Sequence, residues 1–280
     1  RFITAVLILM MVVASSCKKE ESGLKDAFDG DFLIGTAMNY RQVVGEDEKV
    51  LPFIATHFSS ITPENEMKWE RINPEPGRYE FKMADSIVSF SQKHGIAVIG
   101  HCLVWHSQTP AWVFQDSLGN PLSREALLER LKDHIFTVVG HYKGQIKGWD
   151  VVNEAVDEDG SMRKTKWLEI IGEDYIEKAF EFAHEADPDA ELYYNDYNNE
   201  ERAKREGVIA LVKKLQDKGI RIDGVGIQGH WHLDSPDFQV VEESIVEYAA
   251  LGMTVMITEM EINVLPTPAW LYGAEISKTA

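Results

Sequence analysis

Two glutamates stand where they could share one reaction. Glu154 closes the segment Trp149-Asp150-Val151-Val152-Asn153-Glu154-Ala155, and Glu259 lies in Val255-Met256-Ile257-Thr258-Glu259-Met260-Glu261-Ile262. Each follows an apolar run of β type, so each carboxyl is delivered at the end of a strand. Although distant in sequence, they converge if both strands run parallel in one sheet. Two converging carboxyls in different environments are what cleavage of a glycosidic bond needs. One stays protonated to donate to the leaving oxygen, and the other is ionised and attacks the anomeric carbon. An isolated Asn-Glu pair would carry little weight, but one that closes an apolar strand, with a second strand-end Glu elsewhere, carries far more.

Competing chemistries fare worse. There are nine histidines, and His230-x-His232, with His101 and His106, superficially resembles a zinc amidohydrolase site. Such a site wants a tight histidine–aspartate cluster, and His106 and His232 have no partners at ligand spacing. Neither metal nor organic cofactor is therefore expected. No G-x-G-x-x-G or G-x-x-x-x-G-K loop opens a helix, which removes dinucleotide and P-loop chemistry. With 28 basic against 46 acidic residues the net charge is −18. That charge repels phosphate backbones, excludes nucleic acid as a partner and favours an uncharged one. Two cysteines, Cys17 and Cys102, cannot make a disulfide framework.

The elements that must position the glutamates follow one rhythm. Apolar runs at Leu33–Asn39, Ser60–Met67, Ala97–His106, Ile146–Ala155, Glu191–Asn198, Gly224–Trp231 and Thr254–Asn263 alternate with amphipathic stretches. The latter are Lys82–His94, Ser123–Tyr142, Gly172–Ala186, Glu200–Lys218 and Pro236–Leu251. Alternation of this kind predicts parallel βαβ units. Polar residues at every strand end, instead of at one crevice, predict a barrel with its active face at those ends. The expected fold is thus α/β, a (β/α)8 TIM barrel. The runs number seven where closure needs eight, and 264–280, with Pro266 and Pro268, supplies no further strand. The eighth strand and helix are therefore expected to be missing, and the chain to be a fragment, poorly soluble and weakly active alone.

At the start, Ala5–Ala14 is apolar but only about 15 Å long as a helix, half of a ~30 Å hydrocarbon core. It reads as a secretory signal. Ala14-Ser15-Ser16-Cys17 resembles the lipobox of bacterial lipoproteins, with Ala14 where Leu is preferred, and implies lipidation of Cys17. The expected organisation is a signal peptide over 1–17, a tether over 18–26 and a catalytic barrel over 27–280. Lys19-Glu20-Glu21 resembles the charged tag of surface lipoproteins. It predicts an exported bacterial lipoprotein held to the membrane by a lipid anchor, at the outer membrane or cell surface in preference to the periplasm.

Motifs along the strands carry a wider resemblance. They are Gly35-Thr36-Ala37, Thr62-Pro63-Glu64-Asn65-Glu66-Met67-Lys68-Trp69, Gly100-His101-Cys102-Leu103-Val104-Trp105-His106-Ser107-Gln108-Thr109-Pro110, the Trp149–Ala155 segment, Tyr194-Asn195-Asp196-Tyr197-Asn198, Gly226-Ile227-Gln228-Gly229-His230 and Ile257-Thr258-Glu259. In this order the chain resembles glycoside hydrolase family 10, the retaining endo-β-1,4-xylanases, from about Phe32 onward. The resemblance implies hydrolysis of internal β-1,4-xylosidic bonds of xylan and xylo-oligosaccharides by double displacement. It makes Glu154 the acid/base, Glu259 the nucleophile and His230 the histidine bonded to that nucleophile. Asn153 matches the amide holding the sugar 2-hydroxyl. Glu64, Asn65, Lys68, His101, Trp105 and Gln108 match the ring around the non-reducing-side sugars, and Asn195, Tyr197 and Gln228 match positions beside the cut.

Two departures stand out. The family usually has Asp two residues after the nucleophile, bonded to the histidine, where this chain has Glu261. Strand period two keeps Glu261 on the side of Glu259, and its extra methylene lets it still reach His230. Cys102, where threonine is common, is expected to be a packing residue. His57, His94, His134, His141 and His184 are expected at the surface or its boundary, and the helices to have structural roles only. Trp69, Trp112, Trp149 and Trp167 suit packing as well as sugar stacking. Two alternatives stand beside the xylanase reading. One is a related retaining β-glycanase or cellobiosidase, and the other is a surface xylan-binding lipoprotein weak in catalysis.

Overall fold

The structure is a computed structural model that describes residues 22–45, 48–233 and 235–264. Cys17, the signal segment and residues 265–280 lie outside the described residues. Strands β1 (Gly35–Met38), β2 (Ser60–Pro63), β3 (Ala97–Val104), β4 (Gly148–Asn153), β5 (Glu191–Asp196), β6 (Gly224–Ile227) and β8 (Thr254–Ile257) form one sheet in that order. Every neighbouring pair is parallel. Helices α1 (Val50–His57), α2 (Lys82–His94), α3 (Arg124–His141), α4 (Tyr175–Ala186), α5 (Arg202–Asp217) and α6 (Phe238–Ala250) fall between them. This is a TIM barrel built in part: among the described residues β1 pairs only with β2, and β8 only with β6. Phe32 and Leu33 before β1, and Ile257, Met260 and Ile262 at and after β8, are correspondingly exposed.

Burial grades across the sheet. Every residue of β4 is buried, as expected of a parallel strand covered on both faces, whereas β8 is exposed at Thr254 and Ile257 and half-buried between them. Large rings fill the interior because glycines make room for them. A Cβ on Gly100 would lie 2.1 Å from the Trp149 ring, and one on Gly148 would lie 2.3 Å from Tyr193. The helix starts are capped by Ser123 ahead of α3 and Asp237 ahead of α6, each side chain accepting from a backbone N–H.

Two expected runs are each broken. Gly224–Trp231 divides into β6 and β7 (His230–His232), and Thr254–Asn263 into β8 and β9 (Glu261–Asn263). β7 and β9 pair with each other as a separate two-stranded ribbon, with His230 opposite Glu261. The break falls at Gly229, whose φ of +79° suits glycine and whose added Cβ would meet Ile257 at 2.9 Å. A further departure is His134, expected near the surface but only 1% exposed. Its ring stacks on Trp69 with centroids 3.5 Å apart.

Candidate active site

Glu154 follows the last residue of β4 in the left-handed region, φ +57°. Its backbone N–H donates to Asn195 O at 2.9 Å. Its side chain is 12% exposed and receives three donors. Trp105 Nε1 donates to Oε2 at 2.8 Å. Gln228 Nε2 and Asn153 Nδ2 donate to Oε1 at 3.1 and 3.2 Å. The indole expected only as part of the sugar-binding ring therefore also holds this carboxyl.

Glu259 follows β8, its backbone N–H donating to Gln228 O at 2.8 Å. Asn195 Nδ2 donates to its Oε1 at 3.1 Å and to Asn153 Oδ1 at 2.9 Å. Thr258 Oγ1 donates to Asn195 Oδ1 at 2.8 Å, which fixes the direction of that amide. The two carboxyls are thus joined by a short chain, Glu259–Asn195–Asn153–Glu154. Burial alone would raise the Glu259 carboxyl. The hydrogen bond from His230, the fields of His101 and His230 and the Asn195 donor outweigh it and hold the group down at about 2. Glu259 is therefore a ready anion across the neutral range.

His230 lies between two carboxylates, its Nε2 3.3 Å from Glu259 and its Nδ1 3.1 Å from Glu261. The bond to Glu259 raises its pKa, burial opposes this, and Glu261 adds to the rise. The longer Glu261 side chain does reach the histidine, from the paired position on the ribbon. His101 Nδ1 is 2.8 Å from Asp150 Oδ2, and both are buried. Burial raises Asp150, and the bond to His101 works against it.

The other predicted residues divide between two places. Glu64 accepts from Asn39 at 3.0 Å, and Asn65 Oδ1 accepts from Lys68 at 3.1 Å and Gln108 at 3.3 Å. The Lys68 ammonium lies 5.0 Å from the Trp105 ring centre, which ties this cluster to Glu154. Tyr197 turns its hydroxyl to Arg163 Nη2, which donates at 2.8 Å. Cys102 is buried, and burial pushes its thiol well up, as suits a packing residue and not a nucleophile. Trp69, Trp149 and Trp167 are buried in the core. Sequence reading passed over Asp150 and Thr258. The signal for Asp150 was present, an acid in the middle of an otherwise apolar strand.

An ionised carboxylate after β8 and a second, donor-held carboxyl after β4, ringed by amides, histidines and an indole, can cleave a bond between neutral sugars. The class so defined is a barrel glycoside hydrolase with a carboxyl pair. The model of glycosyl hydrolase family 10 matches residues 23–278, and the chain belongs to that family. It is 46% identical over 270 residues to an endo-1,4-beta-xylanase A of Xylanibacter ruminicola, covering 96% of this chain and 73% of the relative. A GH10 endoxylanase from a sugarcane soil metagenome superposes with a TM-score of 0.86 at 45% identity, over 88% of this chain and 74% of that one. An intracellular xylanase of Thermoanaerobacterium saccharolyticum, a mutant solved in complex with xylotriose, does so with a TM-score of 0.83 at 41% identity, over 88% and 78%.

Proposed function

We propose that this protein is an endo-β-1,4-xylanase that cleaves xylan with retention, Glu154 serving as acid/base and Glu259 as nucleophile. The observation that carries the reading is the Glu259–Asn195–Asn153–Glu154 chain, which sets a carboxylate kept charged chiefly by His230 opposite a second carboxyl across two amides. Glu259 attacks the anomeric carbon while Glu154 passes its proton to the glycosidic oxygen, giving a glycosyl-enzyme ester. Glu154, now a base, takes a proton from water, which attacks the same carbon and releases Glu259. His230, backed by Glu261, holds the nucleophile charged and fixes its rotamer. Asn153 and the Glu64–Asn65–Lys68 cluster, with His101 and Gln108, meet hydroxyl edges, and Trp105 offers a ring to a sugar face. The xylanase names of the relatives and the xylotriose complex support this substrate.

The test is leaving-group dependence. Glu259→Ala abolishes turnover of all substrates. Glu154→Ala cripples cleavage of xylo-oligosaccharides and spares kcat/KM on activated aryl xylobiosides, whose leaving groups need no proton. Equal loss on both kinds of substrate would remove Glu154 from the acid role.

Two further readings rest on sequence and edges. The open edges of β1 and β8 favour an eighth β/α unit outside the described residues, and a chain carrying that unit as the functional form. The Ala14-Ser15-Ser16-Cys17 segment favours export and lipidation at Cys17, with the barrel tethered to a membrane at the cell surface.

A further inference from the structure

Glu154 holds a left-handed backbone, φ +57°, which a non-glycine residue keeps only where its surroundings over-determine it. Four polar backbone groups at and after it are tied. Its N–H goes to Asn195 O, and its carbonyl accepts from Arg163 Nε at 2.9 Å. The next two N–H groups, of Ala155 and Val156, both donate to one atom, the Tyr194 hydroxyl, at 3.0 and 3.1 Å. That hydroxyl spends its single proton on Asp196 Oδ2. One donor and two acceptor sites are then fully used, in the one polarity that serves both amides.

Ionisation of Asp196 secures that polarity, because neither oxygen then carries a proton that competes with the Tyr194 hydroxyl as donor. Asp196 is fully buried, and burial raises its carboxyl to about 6 even against its partners. The charge opposing this rise is Lys204, itself fully buried, with Nζ 3.0 Å from Asp196 Oδ1. The same ammonium is 3.3 Å from Glu158 and 3.5 Å from the centre of the Tyr197 ring, whose hydroxyl accepts from Arg163. A closed circuit results, running from Lys204 through Asp196 and Tyr194 to residues 155–156, and through Tyr197 and Arg163 to the Glu154 carbonyl. Helix α5, which carries Lys204, is packed backbone to backbone on the loop after Glu154. A Cβ on Gly207 would meet Gly160 O at 2.3 Å.

We infer that Lys204, fully buried behind Tyr197, is a positioning residue that holds Glu154 in its acid/base geometry through the Asp196–Tyr194 clamp. This rests on the reading of Glu154 as acid/base. Without the ammonium, Asp196 takes up a proton and competes with the Tyr194 hydroxyl as a donor. The two amides then lose their shared acceptor, and the left-handed turn relaxes.

The experiment compares Lys204→Met with wild type in the full chain, on a xylo-oligosaccharide and on an activated aryl xylobioside. The expected result is a fall in kcat on the oligosaccharide of about 10- to 100-fold with KM held, and kcat/KM on the aryl substrate close to wild type. Adding Lys204→Met to Glu154→Ala gives no further loss. Equal loss on both substrates, a change confined to KM, or a loss additive with Glu154→Ala overturns the inference. If Lys204→Met does not fold, Lys204→Met/Asp196→Asn removes the pair without stranding a buried charge. Wild-type leaving-group dependence in that variant also overturns it. Glu154→Ala measured alone separates the two ideas: absence of leaving-group selectivity there defeats the acid/base reading itself. Selectivity there without selectivity in the Lys204 variants defeats only the positioning role.

Discussion

A methyl group at Gly226 tests how the nucleophile is held. The Cβ of Gly226→Ala would lie 2.3 Å from Asn195 Oδ1 and 2.8 Å from Thr258 Cγ2, whereas ordinary contact begins at 3.4 Å. The Asn195 amide must therefore shift by about 1 Å, more than hydrogen bonds of 2.8, 2.9 and 3.1 Å can absorb without breaking. A hydrogen bond to a charged group contributes about 1.5–3 kcal/mol, or about one to two pH units at ~1.36 kcal/mol per unit. Glu259 is about a third exposed, so solvent screening favours the lower end, a rise of about one unit. His230, the stronger of the two contacts, still holds the carboxylate, so the acid limb of kcat/KM moves upward without reaching the ordinary carboxylate range. Misplacing the nucleophile also lowers kcat/KM on the plateau by about 100-fold. The assay is the pH profile on an activated aryl xylobioside, with unfolding measured alongside because overpacking costs about 1–3 kcal/mol. An acid limb at its wild-type position in a folded Gly226→Ala protein refutes the claim that Asn195 helps to hold Glu259 ionised.

Three other outcomes are expected. His134 is buried, which pushes its imidazole down to about 3 from 6.5. Below pH 6.5 the unfolded chain binds a proton that the folded one refuses, so stability falls with acid by up to about 1.4 kcal/mol per pH unit until about pH 3. His134→Phe should flatten that slope in urea unfolding, and parallel slopes would show that burial does not govern this histidine. Cys17→Ala should move the protein from membrane to soluble fractions, and unchanged membrane association would end the lipoprotein reading. Extending the chain by an eighth β/α unit should raise Tm and xylan turnover together. A 280-residue chain that is already a stable monomer with ordinary xylanase rates argues against an open edge of any consequence.

The strand–helix rhythm and the strand-end placement of both glutamates were legible because each rests on a local pattern, an apolar run followed by a polar end. What was not legible depends on the third dimension. The left-handed turn at Glu154 follows from the way neighbouring strands and a distant loop meet, and nothing in Asn-Glu-Ala announces it. The division into β6 and β7 was foreshadowed only by Gly229. Helix periodicity did carry two overlooked signals. His134 falls on the stripe of Leu127, Leu131, Ile135 and Val138, and Lys204 on that of Val208, Leu211 and Leu215. A polar residue on an apolar stripe is either buried with a partner, as Lys204 is, or buried neutral, as His134 is. Reading the helices as structural only missed the first.

The grading of burial from β4 to β8 means that the two halves of the site differ in local stability. On that burial, amides of β4, wholly enclosed, are expected to exchange with solvent only when the whole domain opens, and those of β8 and the β7–β9 ribbon, among the described residues, through smaller local openings. The acid/base and the sugar-holding cluster on β2–β4 therefore sit on the better-enclosed strands, while the nucleophile, His230 and Glu261 sit on the more exposed border of the described sheet. Such a protein can hold a xylan chain in a formed cleft while its nucleophile is out of line, so grip on the polymer survives excursions that stop the chemistry.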